Sequence, residues 1–556
     1  MATLVEPPVS EALATRHSWI GGRAEPGRAG TRPAIDPATG RPFAEASLLD
    51  AGQAASAVGA AAAAFPAWRA LPFRERGAHL LNAREVLVRR APEIARLIER
   101  EQGKPAAEAC AVEIFPALES LKHAAREAEE VLRDEEVESP VLLFSHKECR
   151  ITYEPFGVVL VITPWNYPLF LSVAGVVSAL AAGNTVVLKP APATSIVGLE
   201  IGALFREAGL PAGVVNVVSI DDAVAPALVE DPRLGKILFV GSAATGRRVM
   251  ASAAKNLTPV LLELGGKDAA VVCKDADLDQ AARGIVWGAF VNAGQTCVSV
   301  ERVYVEEPVA DAFLERVVEE TRRLRMGDPA GGDVEIGPLT LERQRRIVEE
   351  QVADAVAKGA RVLTGGVRPP GPGFFYPPTV LTQVDHSMRV MAEETFGPLL
   401  PIVRVASVDE AVKLANDSDY GLTASGWTRD PTTARLLQER LSAGVVSIND
   451  CVSSLGDPAA PYGGLRRSGF GRSHGALGLR EMAQAKYLTR DASRRPMLWW
   501  YPYDAAYGRF MAAAVKALHA RSWLERLRGH WVLARIPRLW RRFGALRLLR
   551  NVDKLL

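Results

Sequence analysis

Four short apolar runs separated by helical stretches constrain this chain more than anything else in it. They are Val158–Ile162, Thr185–Lys189, 214–218 and 237–240. Such runs read as strands buried on both faces, and strands alternating with helices build a parallel sheet with helices on either side. A second alternating set begins near Leu261. It takes in 269–273, 302–305, a helix over 310–324 and a strand around 401–406, and predicts a second α/β unit. Open parallel sheets bind nucleotides at the carboxyl ends of their strands. Upstream, to about His146, the chain reads as helix-rich. Residues 53–68 and 74–102 have apolar positions at helical spacing, Gly103-Lys104-Pro105 breaks the run, and an acidic helix follows over about 107–133.

At 556 residues the chain exceeds a single core and predicts two or three domains. With 48% hydrophobic and 23% charged residues it can bury those cores without staples. Cys110, Cys149, Cys273, Cys297 and Cys451 are scattered, with no Cys-x-x-Cys and no Cys/His cluster. That argues against a disulfide framework and against a metal site, and fits a reducing compartment. The first twenty residues have neither the apolar core nor the basic leader of a secretory signal. Residues 169–188 are apolar over a length that could span a membrane. The Gly183-Asn184 turn and the β-rich Thr185-Val186-Val187-Leu188 make them a buried helix followed by a buried strand.

Two runs carry nucleophile and base. Cys297 closes Phe290-Val291-Asn292-Ala293-Gly294-Gln295-Thr296-Cys297, and Glu263 opens Glu263-Leu264-Gly265-Gly266-Lys267. A thiol can attack an electrophilic carbon, and a carboxylate can later activate water. The thiol needs thiolate character, for which a helix N-terminus or a positive neighbour is the expected source. Gly241 and Gly246 form Gly-x-x-x-x-Gly after a strand, opening a helix whose N-terminal N–H groups can receive a pyrophosphate. Arg247-Arg248 follow in place of Lys-Ser/Thr, so this is not a P-loop.

Further motifs lie along the chain: Ile35-Asp36-Pro37-Ala38-Thr39-Gly40, Thr163-Pro164-Trp165-Asn166-Tyr167-Pro168, Lys189-Pro190-Ala191, Phe239-Val240-Gly241-Ser242, Glu394-Thr395-Phe396-Gly397-Pro398, and Pro461-Tyr462-Gly463-Gly464 followed by Ser468-Gly469-Phe470-Gly471. Taken in order with the two runs above, they resemble the NAD(P)-dependent aldehyde dehydrogenase superfamily over roughly residues 36–488. The resemblance implies that Cys297 attacks an aldehyde. The oxyanion is then held by the side-chain amide of Asn166 and the backbone N–H of Cys297. Loss of hydride leaves a thioester, which Glu263 hydrolyses through water, so the product is the acid and not a coenzyme A thioester. Lys189 meets a cofactor ribose hydroxyl, Glu394 bonds the nicotinamide ribose and Phe396 packs beside its ring. Gly241, Ser242, Gly246, Trp165 and Leu264 complete the expected cofactor site, and no metal is expected. One position departs: the family commonly has glutamate three residues after the strand-end lysine, and here Pro192 stands there. The expectation is therefore NAD, with NADP also accepted. Trp165, Tyr167, Val298 and the loop 450–461 frame the substrate side. No arginine stands out to anchor a substrate carboxylate, which points to an apolar aldehyde, aliphatic or aromatic.

The expected architecture is α/β, of the aldehyde dehydrogenase type. It has a coenzyme-binding domain (18–136 and 155–262), a catalytic domain (263–465), a small β bridging and oligomerisation element (137–154 and 466–490) and a helical C-terminal extension (491–556). The resemblance implies a homodimer or homotetramer. The extension is compositionally separate: 14 Lys/Arg against 4 Asp/Glu, and five of the ten tryptophans. Val515, Leu518, Leu524, Leu527 and Trp531 suggest one amphipathic helix, and Ile536, Leu539, Trp540, Phe543, Leu546 and Leu549 a second. Arginines lie beside them. A basic helix of this kind can lie in an anionic membrane interface without spanning it; the alternative is docking on the acidic body or a partner subunit. The expected place is the cytoplasm; docking of the extension on protein is the leading expectation for it, and peripheral contact to the inner face of a membrane through 508–556 stays open beside it. Nucleic acid is the weaker expectation. Two rival functions stay open: a coenzyme A-acylating relative, and a non-catalytic binding protein using the basic tail.

Overall fold

The computed structural model describes residues 13–140, 144, 147–491, 497, 499–501 and 503–535. Two large sheets dominate. The first has eight strands in the order Gly469–Phe470, Val260–Glu263, Leu234–Val240, Val158–Ile162, Thr185–Lys189, Val215–Val217, Ser18–Ile20 and Arg23–Glu25. Its five central strands are parallel and its edges antiparallel. The second has seven strands in the order Arg361–Thr364, Thr379–Thr382, Leu399–Val405, Val300–Glu306, Asp268–Val272, Thr423–Trp427 and Val445–Ile448. Only its first strand pairs antiparallel. The apolar runs are the reason: Val158–Ile162 and Thr185–Lys189 are buried at every position, as strands covered on both faces must be. Residues 169–188 fold as the buried helix Phe170–Ala181 and the strand Thr185–Lys189. Among the described residues no helix is long and apolar enough to cross a membrane.

Two elements differ from expectation. The described residues before 50, read as part of a helix-rich stretch, form five short strands between Thr15 and Ser47. Thr31–Asp36 and Arg41–Ser47 make a hairpin, and Ser18–Ile20 with Arg23–Glu25 extends the eight-stranded sheet. These strands are two to seven residues long and interrupted by Gly and Pro, too short to register as a period. The acidic helix over 107–133 is not uniform. Helical turns at Ala106–Ala109 run through a π-turn, Cys110–Ile114, into Phe115–Val131. Pro116 lacks an N–H and crowds the turn before it, so the helix widens there.

By contact the chain forms two compact units, 1–132 with 154–484, and 133–153 with 485–556. Both large sheets belong to the first, which also takes in residues 466–484 of the expected bridging segment. The second holds most of the three-stranded sheet Ala483–Asp491, Lys147–Pro155, Glu135–Glu136 and a helical hairpin, Ala505–His519 and Trp523–Ala534. The single helix expected from Val515 to Trp531 is thus two, broken at Ala520 to Ser522. Gly529 sits against the backbone of Ala513 and Ala517, and Phe510 packs with Trp499, Tyr507, Met511 and Leu533. The helix expected from Ile536 to Leu549 lies outside the described residues.

Candidate active site

Strand register brings the site together. Ile162 is opposite Lys189, Phe239 opposite Ile162, and Val240 opposite Glu263. The loops after these strands therefore leave one carboxyl edge, the position where open α/β sheets take ligands. Glu263 ends its strand, and the chain then crosses through Leu264 to Lys267 into the second sheet at Asp268.

The loop before Cys297 is strained and heavily braced. Asn292 and Ala293 are left-handed (φ 57° and 53°), followed by Gly294 at 74°. Such backbone persists only where surroundings enforce it. Glu108 accepts from Asn292 N, Gln102 Nε2 donates to Asn292 Oδ1 (2.8 Å), and Gln295 Oε1 accepts from Thr340 N (2.9 Å). Asn166 and Tyr167 hold the residues just before the cysteine: Asn166 Nδ2 donates to Gln295 O (2.9 Å), and Tyr167 Oη meets Thr296 Oγ1 (2.7 Å). The Asn166 segment is itself anchored from below. Lys104 Nζ donates to Asn166 O (3.1 Å) and pairs with Glu113 (2.7 Å), both side chains wholly buried. Glu113 also accepts from Leu169 N and Phe170 N at the start of the next helix (3.1 and 2.9 Å).

Cys297 and Glu263 line one small cavity of ≈ 30 Å³, about the space of a single water. Leu171, Ala174, Leu238, Val240, Leu264 and Met482 give it apolar walls, and no lysine or arginine is among its lining residues. Glu263 Oε1 accepts from Ser473 N (3.2 Å), while Oε2 is buried without a hydrogen-bond partner. Burial pushes this carboxyl up to about 7. The thiol is pushed up to about 12, first by burial; the Tyr462 hydroxyl 3.1 Å from Sγ acts the other way, and the carboxylates Asp268, Glu263 and Glu394 add to the rise. The expected cationic or helix-terminal activation of Cys297 is thus replaced by an acidic neighbourhood with one phenolic hydrogen bond. The rings of Tyr462 and His474 lie 5.8 Å apart, tilted by 30°, and burial holds the His474 imidazole down to about 4, hence neutral.

The residues expected at the cofactor fall on two faces. Lys189 is buried at its strand end, burial lowers its pKa, and its carbonyl accepts from Thr163 N (3.2 Å). Gly241 N donates to Glu263 O (3.0 Å), and Ser242 caps the helix Ala243–Ala253. Gly246 meets Leu264, where a Cβ would lie 2.7 Å from Cδ2. On the other face Trp165 and Phe396 meet edge to face, centroids 5.4 Å apart. Glu394 accepts from Gly266 N (3.2 Å), an approach open only because residue 265 is glycine: a Cβ there would lie 2.2 Å from Oε1. Buried Glu301 holds this loop, accepting from Thr395 N and Phe396 N (both 2.8 Å at closest) and pairing with Lys267 (2.7 Å). A buried strand-end cation, a capped helix N-terminus after a glycine turn and a carboxylate beside an aromatic pair fit an extended dinucleotide. Among the described residues no cluster of His, Cys, Asp or Glu could hold a metal.

Residues 25–488 match the Aldehyde dehydrogenase family. The chain is 41% identical over 440 residues to 4,4'-diapolycopene aldehyde oxidase of Methylomonas sp, covering 79% of this chain and 82% of that protein. It is 38% identical to the NADP-dependent succinate-semialdehyde dehydrogenase of Escherichia coli K12, covering 82% and 93%. A crystal structure described as an E. coli NADP dependent enzyme superposes with a TM-score of 0.83 at 36% identity, over 86% of this chain and 98% of that one. The chain belongs to the aldehyde dehydrogenase family, with the α/β fold and NAD(P)-dependent chemistry of that family.

Sequence reasoning did not single out Tyr462, Ser473, His474, Lys104, Glu113, Lys267 or Glu301. Tyr462 sat inside a quoted motif and was within reach. So did Lys267, at the end of the Glu263 run. The others meet partners from 9 to 210 residues away, and the fold, not a local pattern, brings them together.

Proposed function

We propose that this protein oxidises an apolar aldehyde to its carboxylic acid through Cys297. The observation that carries this reading is the thiol of Cys297 and the carboxyl of Glu263 on one water-sized apolar cavity. Glu263, titrating near 7, is basic enough to take a proton at neutral pH and is aimed by Ser473. Tyr462 Oη, 3.1 Å from Sγ, is placed to donate to a thiolate, and its hydrogen bond works against the rise of the thiol. The Sγ–C bond forms as the carbonyl oxygen gains charge, which Asn166 Nδ2 and the Cys297 N–H receive. A dinucleotide, when bound, would accept the hydride that this carbon loses, which leaves a thioester on Sγ. Water then attacks the thioester with its proton passing to Glu263, and the acid leaves as the thiolate returns. Lys189, Gly241, Ser242, Gly246 and Leu264 would hold the adenosine and pyrophosphate half of the cofactor; Trp165, Glu394 and Phe396 would hold the nicotinamide half. In the domain scheme that follows, 18–136 with 155–262 serves the coenzyme and 263–465 the thiol.

An apolar substrate is supported by the mostly apolar walls of the cavity, which hold no lysine or arginine, and by the relative named for diapolycopene aldehyde. Assembly as a dimer or tetramer is supported by Ala483–Asp491, a strand of nine mostly exposed residues at the end of its three-stranded sheet. We also infer a cytoplasmic protein whose extension rests on an anionic membrane surface. Leu524, Leu527 and Trp531 form one exposed stripe on the last described helix, with Trp523 beside them and Arg521, Arg526 and Arg528 close in sequence.

Intact-mass measurement after mixing with aldehyde and NAD tests the chemistry. Glu263→Gln should accumulate an acyl adduct on Cys297, with or without coenzyme A, and Cys297→Ser should show none. Free acid formed at the wild-type rate by Glu263→Gln would overturn the role of Glu263. Turnover that requires coenzyme A would favour the acylating alternative.

A further inference from the structure

Lys189 does not stand alone at its strand end. Its Nζ lies 3.8 Å from Oδ1 of Asp222, which follows the neighbouring strand Val215–Val217. The intervening segment is fixed by pairing. Val218 N donates to Leu188 O (2.9 Å), Ser219 N to Ser18 Oγ (2.9 Å), and Leu49 N to Ser219 O (2.9 Å). Asp221 and Asp222 are committed differently. Asp221 accepts from Arg32 (2.9 Å) and from Ala223 N (3.1 Å). Asp222 is 80% exposed, and among the described residues its ion pair is with Lys189.

We propose that Asp222 supplies the carboxylate missing at Pro192, accepting from the adenosine ribose hydroxyls beside Lys189 and repelling a 2′-phosphate, so that the enzyme favours NAD over NADP. This rests on the reading that Lys189 takes that ribose. Pro192 has no side-chain acceptor, whereas Asp222 reaches the same lysine from the next strand. A ribose diol offers neutral donors, which suit a carboxylate. A 2′-phosphate near neutral pH brings close to two negative charges and no proton to share, and it must sit beside an acid of like sign. The single positive charge of Lys189 is already partnered, and Arg32 is held by Asp221 and by Ile220 O (3.4 Å). The relaxed cofactor choice implied by Pro192 is thereby narrowed toward NAD.

The test is calorimetric titration of NAD and NADP into the full-length enzyme without aldehyde, alongside kcat/KM for each. Wild type, Asp222→Asn, Asp222→Glu and Lys189→Met are compared, with thermal melts to check folding. Asp222→Asn should strengthen NADP relative to NAD by about tenfold, the scale of one like-charge contact at a partly exposed site, and Asp222→Glu should keep the wild-type ratio. An unchanged ratio in Asp222→Asn, with Lys189→Met weakening both cofactors, would overturn the proposal and leave the lysine reading standing. If Lys189→Met weakens neither, the ribose reading falls and the proposal with it.

Discussion

Glu263 shows how burial sets chemistry at a single residue. Its carboxyl is pushed up to about 7, above its ordinary value of 4.5, mainly by desolvation. Between those values the native state holds a proton that the unfolded chain has lost. Stability is therefore fullest below about 4.5 and falls as pH rises through about 7. Glu263→Gln, neutral throughout, should match wild type in thermal melts near pH 4.5 and exceed it above pH 7, by up to about 3 kcal/mol. Wild-type turnover should rise through pH 7 as Glu263 ionises, and that of the variant should lose this rise. Melts that keep the same difference at every pH would contradict this assignment. Cys297 and Glu263, which share one cavity, could be picked out as candidates because the Gly-Gln-Thr-Cys and Glu-Leu-Gly-Gly runs are local. The acidic surroundings of Cys297 were not, since Asp268, Glu263 and Glu394 converge on it only through the fold.

At the scale of elements, the parallel strands were legible because each is a short apolar run buried at every position. The π-turn at Cys110–Ile114 and the buried Lys104–Glu113 pair were not, since a π-turn leaves the apolar spacing of a helix nearly intact. Yet that pair ties three segments together: the break after Gln102, the widened helix and the N-terminus of Phe170–Ala181. Removing one partner strands a buried charge. Glu113→Ala should lower stability by roughly 3–5 kcal/mol, read by denaturant unfolding, and should lower turnover, because Lys104 also holds Asn166 O. A melt unchanged from wild type would show that Lys104 finds another partner.

At the scale of the whole molecule, the basic extension distinguishes this chain from the family core that ends at residue 488. Its composition was legible from the tryptophans and arginines. Its break into a hairpin was not, because Gly529 and two alanines close it with small residues, not an apolar stripe. Full-length protein should co-sediment with vesicles containing anionic lipid and not with neutral ones. Leu524→Asp combined with Trp531→Ala should abolish that binding and spare oxidation of a water-soluble aldehyde. Wild type remaining in the supernatant with both lipids would instead favour docking of the extension on protein. The measurement closest to the central claim is reduced-cofactor formation from an apolar aldehyde by wild type and Cys297→Ser, with dinucleotide binding measured on both. Wild type should turn over, and the variant should bind the cofactor yet reduce none. Turnover retained by Cys297→Ser would contradict the account.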